Sequence, residues 1–255
     1  MAAPAAAATV DWKAWLARWE AQQNFLLPDR EERFDAITSA LDGFWGPRPR
    51  VLDLGCGPGS LSTRVLKRVP GAEIVAVDSD PVLLAIGRGA LAGERRIHFV
   101  DADLRADWAG SLPLPSPFDA AVTTTALHWL GLPQLVQLFR SAAALLRPGG
   151  VLLNGDFLDF DHDQRVIAET ARTIRARRQP PTSGGEDWEA WWAAVTAEPG
   201  LAAEAAERHR RGIDHPHDNE AHSYDFHRAS LFAAGFSEVG TLWQRLADRV
   251  LVAVR

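Results

Sequence analysis

Cysteine is nearly absent from this sequence, which has only Cys56 in 255 residues. A single thiol cannot form an intrachain disulfide or a multi-cysteine zinc site, so a disulfide-stabilised secreted scaffold and a zinc ribbon are both excluded. No apolar run approaches the roughly 18 residues that cross a membrane. The opening MAAPAAAATV lacks the basic start and the strongly apolar core of a signal peptide. We therefore expect a cytoplasmic protein with no membrane partner.

Basic charge is also scarce. The chain has 27 Lys and Arg residues against 33 Asp and Glu residues, which gives a formal net charge of -6. Nucleic acids and anionic membranes attract basic surfaces, so this balance argues against both as partners. Only Lys13 and Lys67 are lysines, and alanine is abundant, a composition that indicates a GC-rich bacterial genome. Both classes of partner therefore become less favoured.

Two helices are predicted at the start of the chain. From Asp11 to about Leu27, apolar residues recur at steps of three and four, as in a helix with one buried face, and Pro28 ends the pattern. A second helix is predicted from Asp29 to about Phe44. We expect this segment, residues 1–47, to cover a pocket in the domain that follows.

Five short apolar runs alternate with helical stretches over residues 48–158. The runs are Val51–Leu54, Ile74–Val77, Ile97–Val100, Ala120–Val122 and Val151–Leu153. Because apolar and polar residues do not alternate within them, each run is predicted to be a strand buried on both faces. The pattern predicts a doubly wound α/β core with a parallel sheet.

Residues 159–222 break this pattern with helical stretches separated by turns rich in proline and glycine, and we predict an inserted helical cap. Core structure returns in residues 223–255, with a helix that ends near Gly235. Two strands follow, Glu238–Arg245 and Arg249–Val254, close enough for an antiparallel hairpin.

Three glycines, Gly55, Gly57 and Gly59, follow the first strand in the stretch VLDLGCGPGS. Glycine permits a tight turn there and lets a ligand lie against the backbone. A dinucleotide fingerprint needs glycine or alanine where Ser60 stands, which weakens a pyrophosphate-binding interpretation. Asp78 ends the second strand about 20 residues on, where an acid can bind ribose hydroxyls. The pattern indicates a nucleoside ligand without a phosphate.

In these motifs the sequence resembles the class I S-adenosylmethionine-dependent methyltransferases, over about residues 48–158 and 223–255. The matching segments, in the family's order, are VLDLGCGPGS, Asp78, Asp103-Leu104, FDAAVTTTALHW (118–129), LRPGG (146–150) and AGF (234–236). The resemblance implies a Rossmann-like fold: a sheet of seven strands, mostly parallel, with the last strand reversed. It also implies transfer of a methyl group to an oxygen, nitrogen or carbon of a small molecule.

The resemblance further implies which residues hold the cofactor. The glycine loop would meet its amino acid part, Asp53 its ammonium group and Asp78 its ribose. The other residues assigned to the cofactor are Asp103, Leu104, Ser79 and Thr123. A sulfonium cation with an ammonium group and no phosphate suits this set, because the strands end in aspartates and the loop has no basic residue.

His128 follows the fourth strand, where the family's loop separates cofactor from acceptor. Two interpretations are open: a general base, or an imidazole that lines the acceptor pocket without taking a proton. The stretch Ala126–Trp129 is similar to carboxyl methyltransferases of the trans-aconitate type, and a carboxylate acceptor needs no base, which favours lining. The remaining candidates are His222 for catalysis and Trp19, Trp129 and His217 for acceptor binding.

Several other features have simpler explanations. His215 and His217 hint at metal ligands, but no third ligand is defined, and we expect no metal. The tryptophans recur at helical spacing, so most are predicted to be packing residues. Two other functions stay open: a regulatory module that binds the cofactor without methyl transfer, and a nicotinamide-dependent reductase, which Ser60 disfavours. The expected assembly is a monomer or a homodimer that binds a small methyl acceptor.

Overall fold

Two helices begin the structure, a computed structural model that describes residues 10–44, 46, 48–178, 185–213 and 223–255. They are α1 (Trp12–Leu26) and α2 (Arg30–Phe44), close to the predicted bounds. The Asp11 carboxylate caps α1 by accepting a hydrogen bond from the Ala14 amide at 3.0 Å. Proline at position 28 separates the two helices, as the sequence predicts.

Five strands and the helices between them form the central layer and part of its covering. In chain order they are β1 (Arg50–Leu54), α3 (Ser60–Arg68), β2 (Glu73–Asp78), α4 (Pro81–Ala90), β3 (Ile97–Asp101), β4 (Phe118–Thr124), α5 (Leu132–Leu145) and β5 (Leu146–Phe157). The described part of the cap follows, with α6 (Arg165–Arg178), α7 (Trp188–Thr196) and α8 (Ala202–Arg210). The chain returns to the core with α9 (Tyr224–Ala233), β6 (Glu238–Arg245) and β7 (Asp248–Val254).

The described strands form one sheet in the order β3-β2-β1-β4-β5-β7-β6. Strands β1 to β5 pair in parallel, whereas β7 runs antiparallel to both of its neighbours. This is the doubly wound parallel sheet that the sequence pattern predicts, with the seven strands and reversed last strand that the resemblance implies. Because the carboxyl ends of β1 to β5 meet at one edge, the turns after these strands converge there.

The core lies on both faces of the sheet. Leu52 and Leu54 of β1 point to the face covered by α5 and α9, whereas Val51 points to the face covered by α2 and α3. Side chains alternate in this way along β2, β5 and β7 as well, and both sets are largely apolar, which explains the apolar runs in their sequences.

Two details differ from the predictions. Strand β5 is longer than Val151–Leu153, because it pairs with β4 on one side and β7 on the other. The LRPGG segment therefore lies within β5 rather than before it, and its Leu146 pairs with Phe118. As predicted, Gly235 ends α9 with a φ of 99°. None of the helices in the described ranges is long and apolar enough to span a membrane.

Candidate active site

A cavity with a volume of about 910 Å³ lies at the carboxyl ends of the parallel strands. Along the sheet, β3, β2 and β1 contribute acidic residues to one end, and β4 and β5 contribute His128 and Phe157 to the other. Of the predicted site residues, those that line the cavity are Asp53, Gly55, Gly57, Asp78, Ser79, Asp103, Leu104, Trp19, His128 and Trp129. The topology therefore gathers residues from five separate turns around one space.

The glycine loop between β1 and α3 forms one wall. Its amides at Gly55 and Cys56 both donate to the Val77 carbonyl, at 2.8 and 3.0 Å, which fixes the loop on β2. Gly55 has a φ of 71°, and a Cβ at this position would lie 2.3 Å from the Ala126 Cβ. Glycine is therefore required twice, for the left-handed backbone and for the close approach of the turn after β4. Gly59 also has positive φ, but it does not line the cavity.

Asp53 lies at the end of β1 and is 1% exposed. Its Oδ2 accepts a hydrogen bond from the Ser62 hydroxyl at 2.6 Å, whereas its Oδ1 has no partner among the described residues. Burial raises the pKa of Asp53 to about 7, partly opposed by the Ser62 hydrogen bond. A buried carboxylate oxygen without a donor, on the wall of a cavity, fits the ammonium group of a cationic ligand.

Asp78 ends β2 and joins the two neighbouring turns. Its Oδ2 accepts from the Gly57 amide at 2.7 Å, and its Oδ1 accepts from the Asp80 amide at 2.8 Å. Burial raises its pKa to about 6, while these amide hydrogen bonds act in the opposite direction. A carboxylate has about four acceptor positions, so Asp78 can still accept hydrogen bonds from ribose hydroxyls.

Asp103 and Leu104 follow β3 and line the far end of the cavity. The Asp103 carboxylate forms an ion pair with Arg105 at 2.9 Å. Burial alone would raise the pKa of Asp103, but the hydrogen bonds and charge of Arg105 outweigh it and lower this pKa. The prediction for Thr123 does not match its position: it is fully buried in β4, and the next two residues, Thr124 and Thr125, line the cavity instead.

His128 forms a close pair with Asp156, a residue that the sequence analysis did not select. Its Nδ1 lies 2.9 Å from Asp156 Oδ1 and 3.1 Å from Oδ2, and its amide donates to Oδ2 at 3.3 Å. Asp156 is 1% exposed and also accepts from the Phe157 amide at 2.8 Å. With Nδ1 held as a donor, Nε2 is the ring nitrogen left to accept a proton from a molecule in the cavity.

The charges around this pair set its pKa values. Burial lowers the pKa of His128, but the charge and hydrogen bond of Asp156 outweigh burial and raise it above the usual value. Burial alone would raise the pKa of Asp156, but the attraction of His128 and Arg33 outweighs burial and lowers this pKa. Arg33 is itself buried and forms an ion pair with Asp248 at 2.6 Å. The pair is therefore an ionised carboxylate that orients an imidazole.

Tryptophans of α1 and α7 form a roof over the end of the cavity that the acidic residues line. Trp19 contacts Trp191 and Trp188, with ring centroids 5.0 and 6.1 Å apart, and Trp192 packs against both α7 neighbours. This cluster also contacts Val82 and Leu83 of α4, the helix after β2. Trp19, Trp188 and Trp192 also line the cavity, so they act both as packing residues and as its roof.

Two arginines at the end of the described cap tie it to the strands that bear the acidic residues. Arg208 Nε lies 2.8 Å from Asp80 Oδ2, and its guanidinium stacks over Trp192 at 3.7 Å. Arg211 pairs with Asp101 at 2.6 Å and donates to the Ser79 carbonyl at 2.9 Å. The C-terminal end of α8 is therefore held against the ends of β2 and β3.

Some predicted residues cannot be compared with the structure. His217 and His222 lie in 214–222, outside the described residues, and so does His215. Elsewhere in the described chain, no three His, Cys, Asp or Glu side chains are grouped as metal ligands. Cys56 is buried, and burial raises the pKa of its thiol well above the usual value. The negative charges of Asp78 and Asp53 raise this pKa further.

Asp156 had a signal in the sequence that could have identified it. It follows the predicted fifth strand, and His128 follows the fourth, which is the neighbour of the fifth in the sheet. Two residues at the carboxyl ends of adjacent parallel strands lie close together. Arg208 had no comparable signal, because its partner Asp80 lies 128 positions away in the sequence.

Comparison with known proteins gives consistent matches. Residues 51–150 match the family described as a methyltransferase domain. The curated trans-aconitate 2-methyltransferase of Azoarcus sp. (strain BH72) is 40% identical over 128 residues, which are 50% of this chain and 47% of that protein. The matched part of this chain thus spans less than half the length of that relative.

Solved structures match over more of the chain at lower identity. An O-methyltransferase family protein from Burkholderia thailandensis has a TM-score of 0.59 and 17% identity, and the match covers 94% of this chain and 59% of that one. The S-adenosylmethionine-dependent methyltransferase SibL in its apo form has a TM-score of 0.56 and 20% identity, over 87% of this chain and 54% of that one. At these identities the likeness concerns the fold.

Proposed function

We propose that this protein is a class I S-adenosylmethionine-dependent methyltransferase that methylates a hydroxyl oxygen of a small molecule, with His128 as the general base. The match of residues 51–150 to the methyltransferase domain family supports the reaction class. The observation that carries the proposal is the His128–Asp156 pair on the wall of the cavity whose other end gathers Asp53, Asp78 and Asp103. One end thus fits a cationic nucleoside, and the other holds a base.

The residues at the ends of β1, β2 and β3 fit S-adenosylmethionine. The free Oδ1 of Asp53 would accept from its ammonium group, Asp78 from its ribose hydroxyls, and Asp103 from its adenine amine. Gly55 would let the ligand lie against the backbone. When bound, the cofactor supplies a methyl group on a positively charged sulfur, which becomes a neutral thioether when the methyl group leaves.

His128 would remove the proton of the acceptor. Its Nε2 takes the hydroxyl proton while the acceptor oxygen forms its bond to the methyl carbon, and Asp156 stabilises the imidazolium that results. A general base contributes about 10² to 10⁴ in rate, and the alignment of the two reactants in a closed cavity contributes about 7 to 11 kcal/mol. The cap and α1 supply the closure by covering the cavity.

The test measures S-adenosylhomocysteine release, with and without a panel of hydroxyl-bearing acceptors. His128→Ala and Asp156→Asn are expected to lower kcat by about 10² or more and to change cofactor affinity by less than threefold. His98→Ala is the matched control, because His98 also pairs with a carboxylate, Glu73 at 3.2 Å, but does not line the cavity. The control is expected to keep the wild-type kcat.

The pH dependence of kcat distinguishes a general base from a residue that only lines the pocket. The raised pKa of His128 predicts that kcat falls as the pH drops through a value above 6.5, because the imidazole is then protonated. This acidic limb is expected to vanish in His128→Ala. If the variant keeps the limb, or loses activity only through KM, His128 lines the pocket and is not the base. If no acceptor produces S-adenosylhomocysteine although the cofactor binds, the protein is a cofactor-binding module.

We propose also that residues 159–222 are a lid inserted into the core. The ends of the segment meet, since Asp159 and Ser223 form a parallel bridge and the Tyr224 amide donates to the Asp159 carbonyl at 3.1 Å. A deletion that joins Phe160 to Ser223 through a short linker is expected to keep some cofactor binding and lose methylation. Normal turnover by the deleted protein would contradict this role.

A further inference from the structure

The walls of the cavity define the class of acceptor. We infer that the acceptor is a neutral, largely apolar molecule with a phenol-like hydroxyl, and not a polycarboxylate of the kind that the names of the curated relatives state. This inference rests on the proposed methyl transfer, and it concerns the half of the cavity next to His128.

The arginines that line the cavity are already paired. Arg30 is 2.8 Å from the Glu20 carboxylate. Arg105 pairs with Asp103 and Arg208 with Asp80, at 2.9 and 2.8 Å. A polycarboxylate needs guanidinium groups that are free to form two parallel hydrogen bonds. Within the described residues of this cavity, each guanidinium is held by a carboxylate of the protein.

Acidic residues also outnumber basic ones on the cavity wall. Five Asp and Glu residues and three Arg residues line it in the described chain. The cofactor adds one net positive charge, which is needed to balance Asp53 and Asp78. Asp80 and Asp103 are balanced by Arg208 and Arg105, so no lining arginine of the described chain is left over. A ligand with two or three carboxylates would therefore lose its hydration without gaining a guanidinium partner. A neutral ligand avoids this cost.

Apolar side chains surround the imidazole. Trp129 has its ring centroid 5.1 Å from that of His128, Phe157 follows Asp156 on β5, and Leu26 and Leu27 at the end of α1 face the same space. Leu26 is 38% exposed, although it is a large apolar residue. These surfaces favour an apolar body, because each buried methylene of the ligand contributes about 0.8 kcal/mol.

The strength of the base selects the kind of hydroxyl. An imidazole remains a weak base when a carboxylate 2.9 Å from its Nδ1 raises its pKa, so proton transfer to it is more favourable from an acidic O–H group than from a weakly acidic one. A phenol has a pKa of about 10, whereas an aliphatic alcohol is several units less acidic. In the reaction the O–H bond breaks towards His128 Nε2 and the oxygen–methyl bond forms. The electron pair of the broken carbon–sulfur bond stays on sulfur.

Four probes of matched shape or charge test the inference. They are 2-naphthol, 2-naphthalenemethanol, 2-naphthoate and trans-aconitate. Each is titrated by calorimetry into the protein saturated with S-adenosylhomocysteine, and each is assayed for methylation with S-adenosylmethionine. We expect 2-naphthol and 2-naphthalenemethanol to bind within about threefold of each other, and trans-aconitate to bind at least 100-fold more weakly. Only 2-naphthol is expected to be methylated rapidly, at least 100-fold faster than the aliphatic alcohol.

A variant reverses the charge preference. Leu26→Arg places an unpaired guanidinium on the cavity wall and is expected to improve binding of 2-naphthoate at least tenfold relative to 2-naphthol. Phe44→Arg is the matched control, because Phe44 is also an exposed apolar residue of the N-terminal helices, 45% against 38%, but lies outside the cavity. The control is expected to leave both affinities unchanged.

The outcomes separate this inference from the proposed function. Tighter binding or a higher kcat/KM for trans-aconitate than for 2-naphthol would overturn the acceptor class while leaving methyl transfer intact. Failure of all four probes to bind the cofactor-loaded protein would also overturn it. If S-adenosylhomocysteine itself does not bind, the proposed function fails first, and calorimetry shows this before any acceptor is added.

Discussion

Asp53 provides the sharpest test of the cofactor site. Ionisation of its buried carboxyl group lowers the stability of the folded protein, yet the ionised form is the one proposed to bind the ammonium group. The pKa of Asp53 is about 7 in the folded protein, against about 3.9 in an unfolded chain. The folded state therefore holds the proton more tightly than the unfolded state, and stability falls as the pH rises from about 4 to about 7. At 1.36 kcal/mol for each pKa unit, the fall amounts to about 4 kcal/mol above pH 7.

Asp53→Asn removes this ionisation and keeps the shape of the side chain. The amide oxygen can still accept from the Ser62 hydroxyl, and its NH₂ takes the place of the free Oδ1. The free energy of unfolding of the variant, minus that of the wild type, is expected to increase by about 2 to 3 kcal/mol between pH 5 and pH 8. Urea unfolding at four pH values measures this difference. Asp35→Asn is the control, since the Asp35 side chain is 74% exposed.

The same substitution is expected to weaken cofactor binding, because a neutral amide replaces the carboxylate that would face the ammonium group. Loss of a charge-assisted hydrogen bond costs about 1.5 to 3 kcal/mol, or roughly 10- to 150-fold in Kd. Cofactor affinity of the wild type is also expected to fall as the pH drops below 7, and that of Asp53→Asn to stay level. A stability difference that does not change with pH, or an unchanged Kd in the variant, would refute the assignment.

Three further predictions concern the surrounding structure. Asp78→Ala is expected to weaken S-adenosylhomocysteine binding by about 1.5 to 3 kcal/mol in a folded protein, and unchanged affinity in calorimetry would contradict its role at the ribose. Gly55→Ala is expected to lower the Tm, because the added Cβ would clash with Ala126. In the double variant, Ala126→Gly is expected to restore only part of the loss, because the strain of the positive φ at position 55 remains. Arg208→Gln leaves the buried Asp80 without its ion pair, so it is expected to lower the free energy of unfolding by about 3 to 5 kcal/mol at pH 8. The loss is expected to be smaller at pH 5, because burial favours protonation of Asp80. Equal losses at both pH values would contradict this role of the ion pair.

Local patterns in the sequence determined most of the core. Continuous apolar runs such as Ile74–Val77, set between helical stretches, predict strands buried on both faces, and parallel strands bring the turns that follow them to one edge. The glycine loop and Asp78 could therefore be assigned to one cavity from their positions in the chain. The hairpin β6–β7 was equally predictable, because its strands are separated by two residues.

Tertiary structure alone decided which partners these residues have. Asp156 orients His128 across 28 positions, and Arg208 joins the cap to Asp80 across 128, whereas sequence patterns report only neighbours within an element. The shift from Thr123 to Thr124 at the cavity wall depends on the exact residue at which β4 leaves the sheet. The pairing of each cavity arginine, on which the inference against a polycarboxylate rests, likewise depends on distances that composition does not contain. Local periodicity predicted the α/β core, the resemblance of the motifs implied the class of cofactor, and long-range packing brought together the residues on which the proposed base and acceptor class rest.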